Sequence, residues 1–207
     1  EQAATWVRSE GKSDFHEAIP IHATVKERLF HVMALFVPLH FQPEQERDLR
    51  EIEHVNQIDP ESIIRARWVK PTHFRREGQE VGHAILTFAS AETANKLLLN
   101  GMVICGKRIS GTKMKKEPIR CLKCQTYGHF ANACMATEDT CGKCGEKHRT
   151  ADCKNPFGTF CVSCQTNDHA SRDRVCPEFQ RKCEAYDSHH PENGLAFFPT
   201  DEPWTWA

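Results

Sequence analysis

The residues best suited to chemistry are nine cysteines and three histidines, which fall into three consecutive sets between residues 121 and 176. Each set begins with a Cys-x2-Cys pair, and one histidine and one more cysteine follow at short range. Three thiolates and one imidazole form the tetrahedral shell that structural zinc takes. The pattern therefore predicts three zinc ions, held by the first set (Cys121, Cys124, His129, Cys134), the second set (Cys141, Cys144, His148, Cys153) and the third set (Cys161, Cys164, His169, Cys176).

A disulfide framework and a cross-braced zinc fold are the alternatives for these cysteines. Disulfides are disfavoured because the total of eleven cysteines is odd and a histidine recurs at a similar offset in every set. Cross-bracing is disfavoured because every Cys-x2-Cys pair has its own histidine and cysteine immediately downstream. Reduced, metal-bound cysteines without a secretory pattern indicate an intracellular protein. No enzyme activity is predicted, since a catalytic zinc needs an open coordination position and each set offers four protein ligands.

Charge is distributed unevenly along the 207 residues, although the formal net charge is only −1. Residues 112–183 carry 13 basic and 8 acidic side chains, whereas residues 184–207 carry 5 acidic side chains and no lysine or arginine. Nine thiolates and three Zn²⁺ ions would leave the middle region at about +2. Basic side chains cluster just before and at the start of the first set, at Lys107, Arg108, Lys113, Lys115, Lys116, Arg120 and Lys123.

The ninety residues upstream of the sets are predicted to form one small α+β domain. Residues 28–41 are rich in apolar and aromatic side chains and are flanked by proline, which favours a buried strand. No membrane span is expected, because this apolar run is shorter than the ~20 residues that a bilayer requires. A helix is predicted after Pro43, followed by strands over 63–69 and 83–89, a helix over 91–99 that ends at Asn100-Gly101, and a last strand over 102–109.

This order, βαββαβ, is the ferredoxin-like arrangement that RNA-recognition motifs (RRMs) use. The stretch LLLNGMVICGKRI also resembles the end of such a domain. In that family, two exposed aromatic residues of the third strand stack on bases. Aligned on Gly82 and Phe88, the matching positions here hold His83 and Ile85, so the stacking face is degraded. Two interpretations follow for the sheet: a weakened base-binding face, or a scaffold for self-association.

The first set, in CLKCQTYGHFANAC, resembles the retroviral-type zinc knuckle, Cys-x2-Cys-x3-Gly-His-x4-Cys. Gly128 permits the tight turn that brings His129 to the metal. In that family, the residues after the first cysteine and after the histidine form a platform on which an unpaired base stacks. The resemblance implies a platform of Leu122 and Phe130 with Tyr127 nearby, and each stacked base is worth ~1–3 kcal/mol. Neighbouring basic side chains would neutralise phosphates: Lys113, Lys115, Lys116, Arg120 and Lys123.

The second and third sets depart from this knuckle pattern. The second set has one residue fewer before His148 and no aromatic residue, and the third has two extra residues before Cys176. We expect both to bind metal and to serve as spacers or protein contacts more than as base readers.

A degenerate RNA-recognition fold followed by three such CCHC knuckles is similar to the gag-like protein from the first open reading frame of non-LTR (LINE-type) retrotransposons, especially fungal ones. The similarity runs over residues 28–207 and includes the tail HPENGLAFFPTDEPWTW. That family commonly has tryptophan where this chain has Arg172. The resemblance implies a ribonucleoprotein component that binds single-stranded RNA or DNA, chaperones strand annealing and accompanies a reverse transcriptase.

The patterns divide the chain into four regions. These are a tail (1–24), a degenerate RRM-like domain (25–116), a triple CCHC zinc-knuckle region (117–183) and an acidic aromatic tail (184–207). Three prolines in 191–207 predict an extended segment there. The competing function is a zinc-knuckle adaptor for protein interactions that self-associates, as a homo-oligomer, through the RRM-like domain.

Overall fold

The computed structural model describes residue 6 and residues 10–18, 28–71 and 74–206. The chain forms two compact units. The first unit contains residues 1–114 together with residues 196–207, and the second unit contains residues 115–195. In the described part of the chain, every strand belongs to the first unit and all three Cys₃His sets belong to the second. Most of the tail predicted over residues 1–24 lies outside the described residues.

The regular elements of the first unit are α1 Lys12–Ala18, β1 Phe30–Pro38, α2 Glu46–Val55, β2 Ile63–Trp68, β3 Val81–Phe88, α3 Ala91–Asn100, β4 Met102–Ile104, β5 Lys107–Ile109 and β6 Gly111–Lys113. From β1 onward they follow the predicted order up to the last strand, whereas α1 lies in the predicted tail. Strands β1, β2, β3 and β6 form an antiparallel sheet in the order β2-β3-β1-β6, and β4 pairs with β5 in a separate hairpin.

The core of the first unit is formed by one face of the sheet with helices α2 and α3. Alternate residues of β1, such as Val32 and Ala34, are fully buried, because successive side chains of a strand point to opposite faces. Helix α2 adds Ile52 and helix α3 adds Leu97 to the same cluster. Helix α3 begins at a Ser90 cap and ends at a glycine, as its sequence predicts.

The last strand predicted over residues 102–109 is wrong. The chain reverses at Cys105-Gly106, where both residues have positive φ angles of 50° and 70°. Two consecutive residues of this kind make the tight turn that matches the twist of a two-stranded hairpin. Cys105 therefore lies in a turn, half-buried against the core, and the edge of the main sheet is formed further on by β6.

At the two positions of β3 that carry the stacking aromatics in the RNA-recognition family, this chain has His83 and Ile85. Ile85 is buried, and the backbone N–H of Phe36 donates to Nδ1 of His83 at 3.1 Å. The two rings also meet edge to face, with centroids 4.9 Å apart. This contact exists because β1 has a bulge between Ala34 and Val37, which leaves Phe36 exposed at a φ of 57°.

The last residues of the chain complete the core of the first unit. Phe198 is buried, and its ring lies edge to face on Phe30 with a centroid separation of 5.2 Å. The side-chain amide of Asn95 donates to the Phe198 carbonyl at 2.7 Å and accepts from the Phe198 N–H at 2.9 Å. A pair of this kind satisfies both backbone groups of a buried residue, so residues 196–207 are an integral part of this unit.

Residues 184–207 also contain more helix than their prolines predict. Helix α4 spans Pro177–His189, and short 3₁₀ helices span Pro191–Asn193 and Pro203–Trp206. All three begin at a proline, which is favourable because the backbone N–H of the first helical residue has no partner within the helix. Pro191 and Pro203 therefore start helical turns within residues 191–207, for which the prolines predict an extended segment.

Candidate metal centres and nucleic-acid interface

The twelve candidate ligands fall into the three groups expected from their spacing. In each group, the ligand atoms all lie within 4.8 Å of one another. Sγ of Cys176 is 3.6 Å from Sγ of Cys161 and 3.4 Å from Sγ of Cys164, and the Cys144 and Cys153 sulfurs are 3.8 Å apart. Four ligands around a zinc with bonds of ~2.3 Å are separated by ~3.7 Å, whereas a disulfide needs ~2.05 Å. The sets are therefore local metal sites by geometry.

The same backbone turn builds all three sets. The residue after the second cysteine donates its N–H to the carbonyl of the first cysteine, at 2.8 Å from Gln125, 2.9 Å from Gly145 and 2.8 Å from Gln165. These three residues have positive φ angles of 63°, 77° and 54°. The turn folds the Cys-x2-Cys segment so that its two sulfurs converge.

The donor chemistry of the sets fits a metal cation. Nε2 of His169 is buried and has no hydrogen-bond partner in the described part of the chain, as expected of a nitrogen that ligates a metal. Burial opposes ionisation of the Cys141 thiol, but hydrogen bonds from the N–H groups of Cys144 and Lys143 and from the side chains of Cys144 and Cys153 together lower its pKa to about 6. A thiolate is the form that binds metal. The structure thus contains three Cys₃His sites that can hold a metal ion.

The sets are joined in series by a repeated backbone contact. The N–H of Thr140, just before the second set, donates to the Lys123 carbonyl at 2.7 Å. The N–H of Phe160, just before the third set, donates to the Lys143 carbonyl at 2.8 Å. Lys123 and Lys143 occupy the same position between the two cysteines of their pairs. Each set therefore docks on the next by the same hydrogen bond.

Gln125 strengthens the joint between the first and second sets. This buried side chain donates to the carbonyls of Leu122 and Thr140, both at 2.9 Å, and accepts from Arg120 at 2.9 Å. Gly142 provides the space, since a Cβ there would lie 2.8 Å from Oε1 of Gln125. The orientation of the first set relative to the second is therefore fixed by a satisfied polar contact.

The two platform positions differ in exposure among the three sets. In the first set, Leu122 and Phe130 are 71% and 62% exposed. In the second set, the matching positions hold Gly142 and the exposed Arg149. In the third set, Val162 is half-buried, and Ala170, which follows the histidine, is buried. The first set therefore presents an open apolar surface, and the third does not.

Two adjoining grooves run along the second unit. The first groove, of about 700 Å³, lies between the first and second sets, and the second groove lies between the first set and the third. The charged residues of the first groove are Arg120, Lys123, Arg149, Arg172 and Asp139, and those of the second are Arg120, Arg172, Arg174, Glu117 and Asp173.

The grooves bring together only part of the predicted nucleic-acid contacts. Arg120 and Leu122 line both grooves, Lys123 lines the first and Tyr127 the second. Burial and the nearby Cys176 thiol raise the pKa of Tyr127 to about 12, so its hydroxyl stays neutral at physiological pH.

The remaining predicted contacts lie outside both grooves. Phe130 is exposed but lines neither one. Lys115 and Lys116 are exposed in the second unit. Lys113 lies on β6 in the first unit, and its ammonium group donates to the Phe197 carbonyl at 3.0 Å.

Comparison with known proteins finds two relatives over a segment of 65 residues. The chain is 40% identical to the nucleic-acid-binding protein from mobile element jockey of Drosophila melanogaster, and 37% identical to that of Drosophila funebris. The chain has homologues among jockey mobile-element proteins. The predicted resemblance to a non-LTR retrotransposon protein is confirmed over this segment, which covers 30% of this chain and 11% of each relative.

These jockey homologues match only part of the chain. No family model matches the chain, and no solved structure matches it. Among the described residues, no helix is long and apolar enough to span a membrane.

Sequence reasoning did not include two basic residues of the first groove, Arg149 and Arg172, among the candidate contacts. Arg149 follows His148 just as Phe130 follows His129, so aligning the sets on their histidines would have found it. Arg172 gave no comparable signal, because its place in the grooves depends on how the third set docks.

Proposed function

We propose that this protein binds single-stranded nucleic acid, the RNA of a mobile element in particular, through zinc-loaded Cys₃His knuckles. The observation that carries the proposal is the exposed pair of Leu122 and Phe130 on the first set, with Arg120 and Lys123 beside Leu122. An unpaired base stacks on such a surface because every base has an apolar face, and the cations neutralise the adjoining phosphates. The relatives' name, nucleic-acid-binding protein, supports the same function.

Zinc is the proposed metal at all three sets. Three thiolates and one imidazole complete a tetrahedral shell with no open position, which suits a structural Zn²⁺. The role of the ions is to fold the second unit, and the nucleic acid is bound by side chains that the folded sets expose. The proposed contacts are Lys113, Lys115, Lys116, Arg120, Leu122, Lys123, Tyr127 and Phe130.

The first unit is proposed to be a ferredoxin-like domain of the RNA-recognition type. The strand order β2-β3-β1-β6, with α2 and α3 in the two crossovers, supports this assignment. Since His83 and Ile85 do not form a stacking face, its role in the gag-like ribonucleoprotein is proposed to be self-association or support of the zinc region. A reverse transcriptase partner and a chaperone role are part of the same proposal.

The test compares two exposed aromatic residues of the second unit. Phe130→Ala removes the platform, whereas Phe157→Ala removes a phenylalanine that is 92% exposed and lies outside it. With a fluorescein-labelled single-stranded oligouridylate, Phe130→Ala should weaken binding about tenfold, the loss of one stacked base, and Phe157→Ala should leave it unchanged. Elemental analysis should find three zinc ions in both variants.

Two outcomes would count against this function. If Phe130→Ala binds the oligouridylate as tightly as the unchanged protein, Phe130 is not part of a platform for bases. A protein that carries three zinc ions and binds no single strand would favour the adaptor for protein interactions.

A further inference from the structure

The first groove combines positive charge with exposed surface from more than one set. Four of its five charged side chains are basic, and the single acid, Asp139, lies 3.3 Å from Nε of Arg149. Both partners of this pair are partly exposed, so an approaching phosphate can compete for the arginine. Within the described part of the chain, Lys123 and Arg172 have no ion-pair partner. The groove therefore offers cations that are available to an anionic ligand.

The platform positions of two sets open into this one groove. Leu122 belongs to the first set, and Gly142 and Arg149 belong to the second, yet all three line the same space. The hydrogen bond from Thr140 to Lys123 and the Gln125 contacts hold the two sets in this arrangement. An arginine at a platform position can still stack on a base, because bases also stack on a planar guanidinium.

The third set contributes through Arg172. This exposed arginine lines the first groove and also the second, and it shares both with Arg120 and Leu122. The two grooves therefore adjoin along these three residues. A strand that lies in the first groove would continue past Arg172 into the second groove, where Arg174, in an exposed ion pair with Glu117, is a further cation.

We propose that the three sets act as one binding surface, on which a single strand lies in the first groove between Leu122 and Arg149 and has its phosphates held by Lys123 and Arg172. This inference rests on the proposed function and extends it to the second and third sets. Its physical basis is that a cation fixed in a groove neutralises phosphates at a defined place along the strand, while apolar and planar groups contact the bases. The volume of about 700 Å³ is that of a ligand site for a molecule of nucleotide size.

The experiment neutralises one groove cation at a time in the full chain, with Arg149→Gln and Arg172→Gln. The matched control is Lys154→Gln, which removes the same charge from an exposed residue of the second unit that lines neither groove. Binding of a fluorescein-labelled oligouridylate of about 12 nucleotides is followed by anisotropy between about 50 and 200 mM salt. Zinc content is measured for each variant, so that a loss of folding is recognised.

Each arginine variant should bind about tenfold more weakly at the lowest salt, as expected on losing one charge-assisted contact. The slope of log K against log salt should fall by about 0.7 in each, the value for one phosphate contact on a single strand. Lys154→Gln should change neither quantity by as much. Three zinc ions in every variant would show that the effect is on binding.

Three results would overturn the proposal, and they separate it from the proposed function. In the first, the arginine variants bind like the Lys154→Gln control while Phe130→Ala still weakens binding. The first set would then be the nucleic-acid site, and the strand would not lie in the first groove. An equal loss in all three charge variants would mean unspecific attraction. If the unchanged protein binds no single strand, both proposals fail together.

Discussion

The two units of this protein are stabilised by different physics. The first unit buries large apolar side chains such as Phe88 and Leu86 between a sheet and two helices. In the described part of the second unit, the buried apolar side chains are four ligand cysteines and Ala170. Too little apolar surface is buried there to offset the entropy of folding, so metal binding has to supply the free energy. We therefore expect the second unit to be ordered as a metal complex.

The difference also determines how each unit is recognised in a sequence. The first unit is encoded by periodic apolar residues, and the second by ligand spacing and a turn repeated three times. Changes to the metal should therefore affect only the second unit, and changes to apolar packing only the first.

Metal removal should produce the largest effect and should separate the two units. Structural zinc sites of this kind contribute about 10–16 kcal/mol each, so a chelator should unfold residues 115–195. Hydrogen exchange followed by mass spectrometry should show lost protection at the amides of Thr140 and Phe160, which donate the bonds between sets. The amides of β1 and β3 should keep their protection against exchange. Protected amides at Thr140 and Phe160 in chelator would contradict this account.

Phe198→Ala should destabilise the first unit and leave the second unchanged. The substitution removes a buried ring that packs on Phe30, at a cost of ~3 kcal/mol. Urea unfolding monitored by circular dichroism would measure the change, and zinc content should stay at three per chain. Phe157→Ala, at a residue that is 92% exposed, is the matched control with no expected loss. A loss below ~1 kcal/mol for Phe198→Ala would mean that residues 196–207 are not part of the core.

Two asparagines that make the same contact should differ in their effect. Both asparagines are buried, but Asn95 pairs with both backbone groups of the buried Phe198, whereas Asn193 pairs with both backbone groups of the exposed Lys116. Asn95→Ala leaves two buried groups without partners and should cost ~2 kcal/mol in urea unfolding.

Asn193→Ala is the milder member of the pair. Water can reach the backbone groups of the exposed Lys116 once the side chain is removed, so chelator-driven zinc release should speed up only about threefold. Equal sensitivity of the two sites, expressed as free energies, would show that the exposure of the partner residue does not distinguish them.

The parts of the structure that follow from nearby residues could be predicted from the sequence. The three ligand sets are defined within stretches of about fifteen residues, and β3 and α3 are defined by their own periodicity and caps. The hairpin at Cys105-Gly106 was missed because only its second turn residue is a glycine, and a cysteine at the first position, which also needs a positive φ, gives no turn signal.

The parts that depend on distant residues could not be predicted. Asn95 and Phe198 are 103 residues apart, and nothing near either one indicates the other. Arg172 enters the first groove only because of how the third set docks. The proposed binding surface, unlike the ligand sets, thus depends on the tertiary arrangement of the second unit.

The smallest predicted effect distinguishes the two joints within the second unit. Gln125 and Gln165 occupy the same left-handed position and make the same side-chain bond, to the carbonyls of Leu122 and Val162 respectively. A non-glycine residue in this conformation costs ~1–2 kcal/mol of backbone strain, which replacement by glycine relieves. The same replacement removes one hydrogen bond with a net contribution of ~1 kcal/mol. Gln165→Gly should therefore be nearly neutral.

Gln125→Gly should not be neutral, because this side chain also bonds to Thr140 and Arg120. The net loss of ~1 kcal/mol should appear as about fivefold faster hydrogen exchange at the Thr140 amide, with Gln165→Gly leaving the Phe160 amide unchanged. Equal behaviour of the two variants would mean that the backbone bonds alone dock the sets. If only Gln125→Gly loosens the contact between its two sets, this one glutamine holds the two walls of the first groove together. Nucleic-acid affinity should then fall in that variant, although every metal ligand is intact.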